Sequence, residues 1–438
     1  MKRLLLLILC FLFVGCSSTR LPTIPVYSAE EEIKIYVATD LHYFSPKLTD
    51  NGSVFEEFVN SGDGKQINYI DTIVDAFVEE VLEEQPHVVI LSGDLSLNGE
   101  YQSHLDLAEK LQKIREAGIQ ILVIPGNHDI NSPYAREFIE NEVYKTELVD
   151  PEAFTTIYKN FGYTDALSYD ETTLSYCMPI SEKLWVVMLD LSQYLNNTWF
   201  GADIGGKITP ETLEWLETIL MEAEEKDITV LTVTHQNLLN HSSTLQEGYT
   251  IYNNYDLYKL MANYNVSLNL SGHIHIQHIQ SKEVESTSIY DIATSSLAVY
   301  NNQYGVLTFK PNQDFHYQTK ELDIENYAKK HNLTNEDLLN FESYSYQFYT
   351  DLTYNKFYKN FSTLSFLTEE EASLLAETMA MINPHYFSGT TSIIREDILS
   401  SEQYPLWEKV KDLFYYDYLR SMLKESELSP TELIIPLK

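Results

Sequence analysis

Three things are scarce in this chain of 438 residues, and each scarcity excludes something. Cysteine occurs only at Cys10, Cys16 and Cys177. The first two lie in the N-terminal segment, so Cys177 stands alone in the remainder. No internal disulfide can form there, and the fold must rest on its core. Cys177 sits in the apolar, strand-like run Leu174–Ile180 and reads as a small buried hydrophobe. Basic residues are scarce too: 29 against 65 acidic ones, a formal charge of -36. That balance excludes a nucleic-acid-binding surface, which needs basic patches to displace counterions from phosphate. It also repels anionic substrates from the surface at large. A phosphate-handling site would need its own positive charge, and bound metal is the obvious source. Long apolar runs are the third scarcity. Only Leu4–Val14, behind Lys2 and Arg3, is unbroken. It is too short to span a bilayer comfortably but suits the apolar region of a signal peptide. Nothing later is expected to span a membrane. Internal repeats and low-complexity tracts are also absent.

The apolar run ends in Phe13-Val14-Gly15-Cys16-Ser17-Ser18, which resembles a bacterial lipoprotein processing site. Residues 1–16 are therefore expected to be a signal peptide, with Cys16 becoming the lipidated first residue. Residues 17–30 then form a tether. The expected location is extracytoplasmic, on a bacterial membrane through that lipid only; plain secretion is the alternative.

What is present is a core. Apolar residues make up 44% of the chain, which argues against global disorder. Strand-like and helix-like runs alternate from Ile33 onward. Ile33–Ala38, His87–Leu91, Ile119–Ile124, Leu184–Leu189, Thr229–Val233 and Val266–Leu270 read as strands. Ile67–Glu84, Tyr101–Ala117, Pro210–Glu225 and Tyr255–Tyr264 read as helices, the first from the spacing of Ile70, Ile73, Val74, Phe77, Val78, Val81 and Leu82. That order predicts an α/β domain over 31–322. From Ser288 to Leu322 the helices stop and β-like runs follow. Residues 323–438 are tyrosine-rich and mostly helical in pattern, as in Asn335–Phe348, Thr368–Ile382 and Leu406–Lys424, and form a C-terminal extension.

Five strand ends carry polar residues of one kind. After Ala38 comes Asp40-Leu41-His42, and after Leu91 comes Ser92-Gly93-Asp94. Gly126-Asn127-His128-Asp129 follows Ile124, His235 follows Thr234, and Ser271-Gly272-His273-Ile274-His275 follows Leu270. In α/β folds the C-terminal strand ends converge on one edge, where ligands bind. Imidazole with carboxylate favours Zn, Mn or Fe over Ca or Mg, which prefer all-oxygen shells. Asp40 and His42, like His273 and His275, are two residues apart and can serve one site from an extended segment.

The ordered set D-x-H, G-D, G-N-H-D, H and G-H-x-H resembles the calcineurin-like metallophosphoesterase family. The motifs span Asp40 to His275, a little over half the chain. The resemblance implies a four-layer α-β-β-α sandwich, with the run Ser288–Leu322 supplying the second sheet. It implies two metal ions of unspecified identity (Mn, Fe or Zn). Asp40, His42, Asp94 and His275 would hold the first; Asp94, Asn127, His235 and His273 would hold the second, with Asp94 bridging. The metals would activate a shared water for in-line attack on phosphorus. His128 would bind no metal. It would stabilise the transition-state phosphoryl oxygens and protonate the leaving oxygen. Some relatives place an Asp three residues after the bridging Asp to orient that histidine. Here the position is Leu97, so Asn98 and Asp129 are the candidates for positioning His128.

The expected function is hydrolysis of a phosphomonoester or phosphodiester, with a phosphate ester as substrate and no partner protein. A metal-containing but non-catalytic binding lipoprotein and a phosphoprotein phosphatase are the alternatives. Of the other histidines, His104 reads as helix surface and His241 as a candidate lining of the cleft. Arg136 is a candidate phosphate contact set against an ordinary surface salt bridge. The C-terminal tyrosines read as packing.

Overall fold

The computed structural model describes residues 21–424 and 428–437. Cys16 and the expected signal peptide lie outside the described residues.

Alternation of side chains along each strand builds the layers. In Ile33–Ala38, the residues Ile33, Ile35 and Val37 point to one core, and Tyr36 and Ala38 to another. Val88 and Ile90 join the first core, and Val89 and Leu91 the second. The period of two puts every side chain of such a strand into an apolar layer. The core shared by both sheets receives Leu184, Val186 and Met188 from the facing sheet, whose Trp185, Val187 and Leu189 turn outward under helices. The result is helices, sheet, sheet, helices.

One sheet has six strands in the spatial order Glu432–Pro436, Asp314–Glu321, Gln303–Lys310, Ile33–Ala38, Val88–Leu91, Gln120–Val123. The last three run parallel. The other has seven, in the order His278–Val284, Thr287–Ala293, Leu268–Ser271, Thr229–Thr234, Leu184–Leu189, Tyr176–Ser181, Ser168–Tyr169. Its four central strands, Thr287–Ala293 to Leu184–Leu189, are parallel. Helices Ile70–Glu84 and Tyr101–Glu116 cover the first sheet, and Pro210–Glu225 and Asn254–Asn263 the second. Helix Pro210–Glu225 shows why such segments start where they do. Pro210 needs no hydrogen-bond partner for its nitrogen in the first turn, and the Thr209 hydroxyl accepts from Thr212 N.

The run Ser288–Leu322 is not the second sheet. Strands Gln303–Lys310 and Asp314–Glu321 extend the first sheet, antiparallel to Ile33–Ala38, and only Thr287–Ala293 belongs to the second. The strand content was visible in the sequence; the partner was not, because pairing joins residues more than 250 apart, as in Ile35 with Leu307.

The C-terminal region packs helices Phe341–Ser362 and Glu369–Ser388 side by side. The expected helix over Leu406–Lys424 is instead a 3-10 segment, Tyr404–Val410, and a short α-helix, Phe414–Met422. Glu432–Pro436 is a strand that pairs with Asp314–Glu321, so the extension is stitched into the first sheet. Among the described residues no helix is long and apolar enough to cross a membrane.

Candidate metal centre

The strand ends at Ala38, Leu91, Val123, Thr234 and Ser271 open onto one edge. Two groups of donor atoms form there: Asp40, His42, Asp94 and His275, and Asp94, His235 and His273. In each group the atoms lie within 4.8 Å of one another. Asp94 belongs to both. Asn127 joins the second group, its Oδ1 3.1 Å from His235 Nε2. All of the metal-ligand candidates named from the sequence thus come together.

Local conformation explains how short loops aim so many side chains inward. Asp40, His42, Asp94, His273 and His275 all have positive φ, between 43° and 68°. For residues with a Cβ this left-handed conformation costs about 1–2 kcal/mol each, and such strain concentrates at functional sites. Glycine does the rest at two close approaches. A Cβ on Gly126 would lie 2.2 Å from Asp94 Oδ1, and one on Gly272 would lie 2.0 Å from Thr39 Oγ1.

Hydrogen bonds fix which atom of each donor is left free. Asp40 Oδ2 accepts from Thr39 Oγ1 and from His273 N, both at 2.8 Å, while buried Oδ1 has no hydrogen-bond partner. His235 Nδ1 lies 2.9 Å from the Ser92 carbonyl and donates to it, so Nε2 carries the lone pair. That lone pair faces Asn127 Oδ1 at 3.1 Å and Asp94 Oδ1 at 3.3 Å. His273 donates Nε2–H to the Gly248 carbonyl at 2.9 Å, which turns Nδ1 toward the site. His42 Nε2 and His275 Nε2 approach to 3.1 Å, with Asp40 Oδ1 3.2 Å from the latter.

Electron pairs therefore converge on two points with too few protons between them. Burial alone would favour protonated Asp40 and Asp94, yet the surrounding histidines hold both carboxyls below their usual range. Burial would lower His235, but Asp94 overrides it and pushes the imidazole up to about 9. The shift marks a place where three acceptors meet and positive charge is favoured, which is a cation's place. Burial and neighbouring His235 hold His273 down at about 3, as the neutral ligand form requires. The donor set fits two transition-metal ions.

His128 stands apart from the ligands. Its Nδ1 lies 2.8 Å from the Leu97 carbonyl and 3.2 Å from Asn98 Oδ1, so Nδ1 carries the proton. Nε2 is free and lies 3.9 Å from Asp94 Oδ2. The imidazole is 29% exposed, whereas the Asp94 side chain is 2% exposed. Leu97 and Asn98 thus orient His128 in place of the missing carboxylate. Asp129 does a different job. Its carboxylate accepts from Leu95 N, Ser96 N, Ser96 Oγ and Gly126 N at 2.8–3.1 Å and ties two ligand loops together.

Several expectations need correcting. His104 is fully buried, not surface, and bonds Ser96 Oγ and Tyr158 Oη at 2.9 Å behind the Asp129 knot. His241 pairs with Asp291 and His278 away from the donor groups. Arg136 lines the cavity beside His128, with its guanidinium 5.5 Å over the Phe58 ring and no ion pair among the described residues. That cavity holds about 720 Å³. Lys65, Lys356 and Lys359 also border it, and none of them belongs to a motif. A second cavity of about 340 Å³ meets His273 and His275 and is walled by Tyr249, Tyr349, Tyr415 and Tyr418, while Tyr386 and Tyr418 pack into a C-terminal core as expected.

Two family profiles match the chain. Residues 33–277 match "Calcineurin-like phosphoesterase", and residues 323–428 match "C-terminal domain of cyclic nucleotide phosphodiesterase". Among solved structures, a dimetal phosphatase from Danio rerio is 12% identical, with 66% of this chain and 95% of that one covered at a TM-score of 0.44. A purple acid phosphatase from yellow lupin (Lupinus luteus) seeds is also 12% identical, with 67% of this chain and 52% of that one covered at a TM-score of 0.43. No curated protein matches.

Proposed function

Since the chain belongs to the calcineurin-like phosphoesterase family, and so is a hydrolase of phosphoric esters, we propose that it cleaves phosphodiesters of the nucleotide class at a two-metal centre. The observation that carries the reading is Asp94, shared by two donor groups and 3.9 Å from the Nε2 of His128, which lines the larger cavity. Two bound metals would lower the pKa of water and neutralise charge on a phosphoryl group. Asp40, His42, Asp94 and His275 would hold one, and Asp94, Asn127, His235 and His273 the other.

The rest of the chemistry belongs to the chain. His128 presents an unblocked Nε2 because Nδ1 is committed to Leu97 and Asn98. A protonated Nε2 donates to a phosphoryl oxygen and then gives its proton to the departing alkoxide, which a diester of an alcohol requires. Apolar walls from Phe58, Ile67 and Leu97 exclude water and suit a base or an aromatic group. Helix Phe341–Ser362 closes the same cavity, and it lies in the region that matches the cyclic-nucleotide phosphodiesterase domain. That juxtaposition favours a cyclic or linear nucleotide diester over a phosphomonoester. The location we propose is extracytoplasmic, through a lipid on Cys16; metabolic lipid labelling lost in Cys16→Ala tests it.

The direct test is metal content together with turnover of bis-aryl phosphate, mono-aryl phosphate and 3′,5′-cyclic nucleotides with Mn, Fe or Zn. Both metals bound, and diester turnover exceeding monoester turnover, is the expected result. Metal without turnover of any diester overturns the proposal.

A further inference from the structure

A cluster of cations stands out in a chain with 65 acidic and 29 basic residues. Arg136, Lys356 and Lys359 all border the cavity beside His128, and none forms an ion pair with a described carboxylate. Lys65 is the fourth cation there, and it is paired with Asp63 at 2.8 Å. Elsewhere some lysines are matched, as Lys110 is to Asp71 and Asp75, and Lys330 is to Glu79 and Glu83. Lys113, Lys159, Lys207 and Lys310 form no ion pair with a described carboxylate but stand apart from one another in the sequence. What marks this place is that three such cations line one cavity. Charge left uncompensated in one concave place is a binding feature, since its self-repulsion is otherwise unanswered.

Lys356 also borders the second cavity, beside His273 and His275, so the two cavities meet under it. Lys359 follows three residues on along helix Phe341–Ser362, about 4.5 Å further along the axis. A diester phosphate carries a single negative charge, and metals held by the strand-end ligands would draw it. The lysines above it then still lack an anion.

We propose that the substrate carries a second phosphate beyond the scissile diester, and that Lys356 and Lys359, with Arg136, receive it. The nucleotide reading of the preceding section is the basis for the diester. The second anion rests on the unpaired cations alone. The C-terminal region thereby becomes a specificity element: it selects among phosphodiesters by charge, while the strand-end ligands perform the cleavage.

The test compares TpT with pTpT, thymidine dinucleotides that differ only in a terminal phosphate. Binding is measured by calorimetry on metal-loaded His128→Ala protein, with and without Lys356→Gln/Lys359→Gln. In the His128→Ala protein pTpT should bind at least about tenfold more tightly than TpT. In the lysine variant that advantage should fall below about threefold, and raising salt should erode it in the parent. Equal binding of the two ligands by the parent overturns the proposal. So does equal weakening of both in the lysine variant, because the lysines would then hold the scissile phosphate. Binding of neither ligand overturns it as well. Turnover of the singly charged bis-aryl phosphate by the wild-type chain reads the proposed function separately, so the two readings fail independently.

Discussion

Gly126→Ala adds one methyl group at the point where the two ligand loops touch. The new Cβ would sit 2.2 Å from Asp94 Oδ1, 2.4 Å from Asp94 N and 2.7 Å from His235 Nε2. A carbon–oxygen contact needs about 3.3 Å, so the carboxylate must retreat by about 1 Å. Rotating the Asp94 side chain does not suffice, because the backbone nitrogen is also too close. The loops after Leu91 and Val123 must separate. Their separation stretches the bonds that cross between them, from Ser96 N to Asp129 Oδ1, now 2.8 Å, and from Leu95 N to Asp129 Oδ2, now 3.1 Å. Overpacking of this kind costs about 1–3 kcal/mol, and a bond to a buried carboxylate adds about 1.5–3 kcal/mol. A stability loss of about 3 kcal/mol is expected from the two together.

The functional loss should be larger than the stability loss suggests. Asp94 serves both donor groups, so a displacement of its carboxylate weakens both. A misplacement of about 1 Å at a reacting centre costs about a hundredfold in rate. Urea denaturation gives the stability, elemental analysis the metal content, and bis-aryl phosphate the turnover. A folded Gly126→Ala protein that keeps both metals and stays within about threefold of wild-type turnover would refute the reasoning. It would mean that the shared position of Asp94 does not govern the centre.

Other substitutions separate the roles of neighbouring residues. His128→Ala should retain both metals and lose about 10²- to 10⁴-fold in diester turnover, with loss of metal instead marking His128 as a ligand. Asp129→Asn places an amide NH₂ against backbone donors from Leu95, Ser96 and Gly126. It should cost about 2–4 kcal/mol by urea denaturation and lower metal affinity; an unchanged midpoint would contradict the knot described here. Asp190 is buried, and burial pushes its carboxyl up to about 6. A carboxyl raised above its unfolded value penalises the folded state above the folded pKa, and the penalty fades as pH falls through it. Wild type should therefore gain up to about 3 kcal/mol on Asp190→Asn between pH 7 and pH 4, read as the difference between their unfolding free energies. A pH-independent difference would remove Asp190 from that account.

The centre was legible in the sequence because each ligand follows a strand and the strands are short, apolar and close to their motifs. Asp40, Asp94 and His235 each fall within three residues of a strand end. The anchoring of His128 was half legible. Asn98 could be named as a candidate, but the Leu97 carbonyl could not, since any residue offers a backbone oxygen. His104 was misread because a polar residue on an amphipathic helix is ordinarily exposed, whereas here Ser96 and Tyr158 satisfy both ring nitrogens in the interior. The roof of the cavity was hidden for another reason. Lys356 and Lys359 reach the site through packing of a distant helix, which no local pattern encodes. A signal did exist: between Asp351 and Glu369 they are the only charged residues in a strongly acidic chain.

The first sheet has an order of assembly written into it. Strand Ile33–Ala38 delivers Asp40 and His42, and it lies between Val88–Leu91 and Gln303–Lys310. On a ribosome the first of these neighbours emerges early and the second some two hundred residues later, since 88 and 303 bracket most of the domain. The edge strand Glu432–Pro436 comes later still, after every helix that roofs the cavity. A growing chain thus holds its first metal ligands for most of synthesis without the sheet that aims them. Domains fold as units, and this sheet closes only once Gln303–Lys310 has paired with Ile33–Ala38. Metal binding therefore waits on strands that carry no ligand, and chains cut before residue 303 that keep all five motifs should be unable to bind.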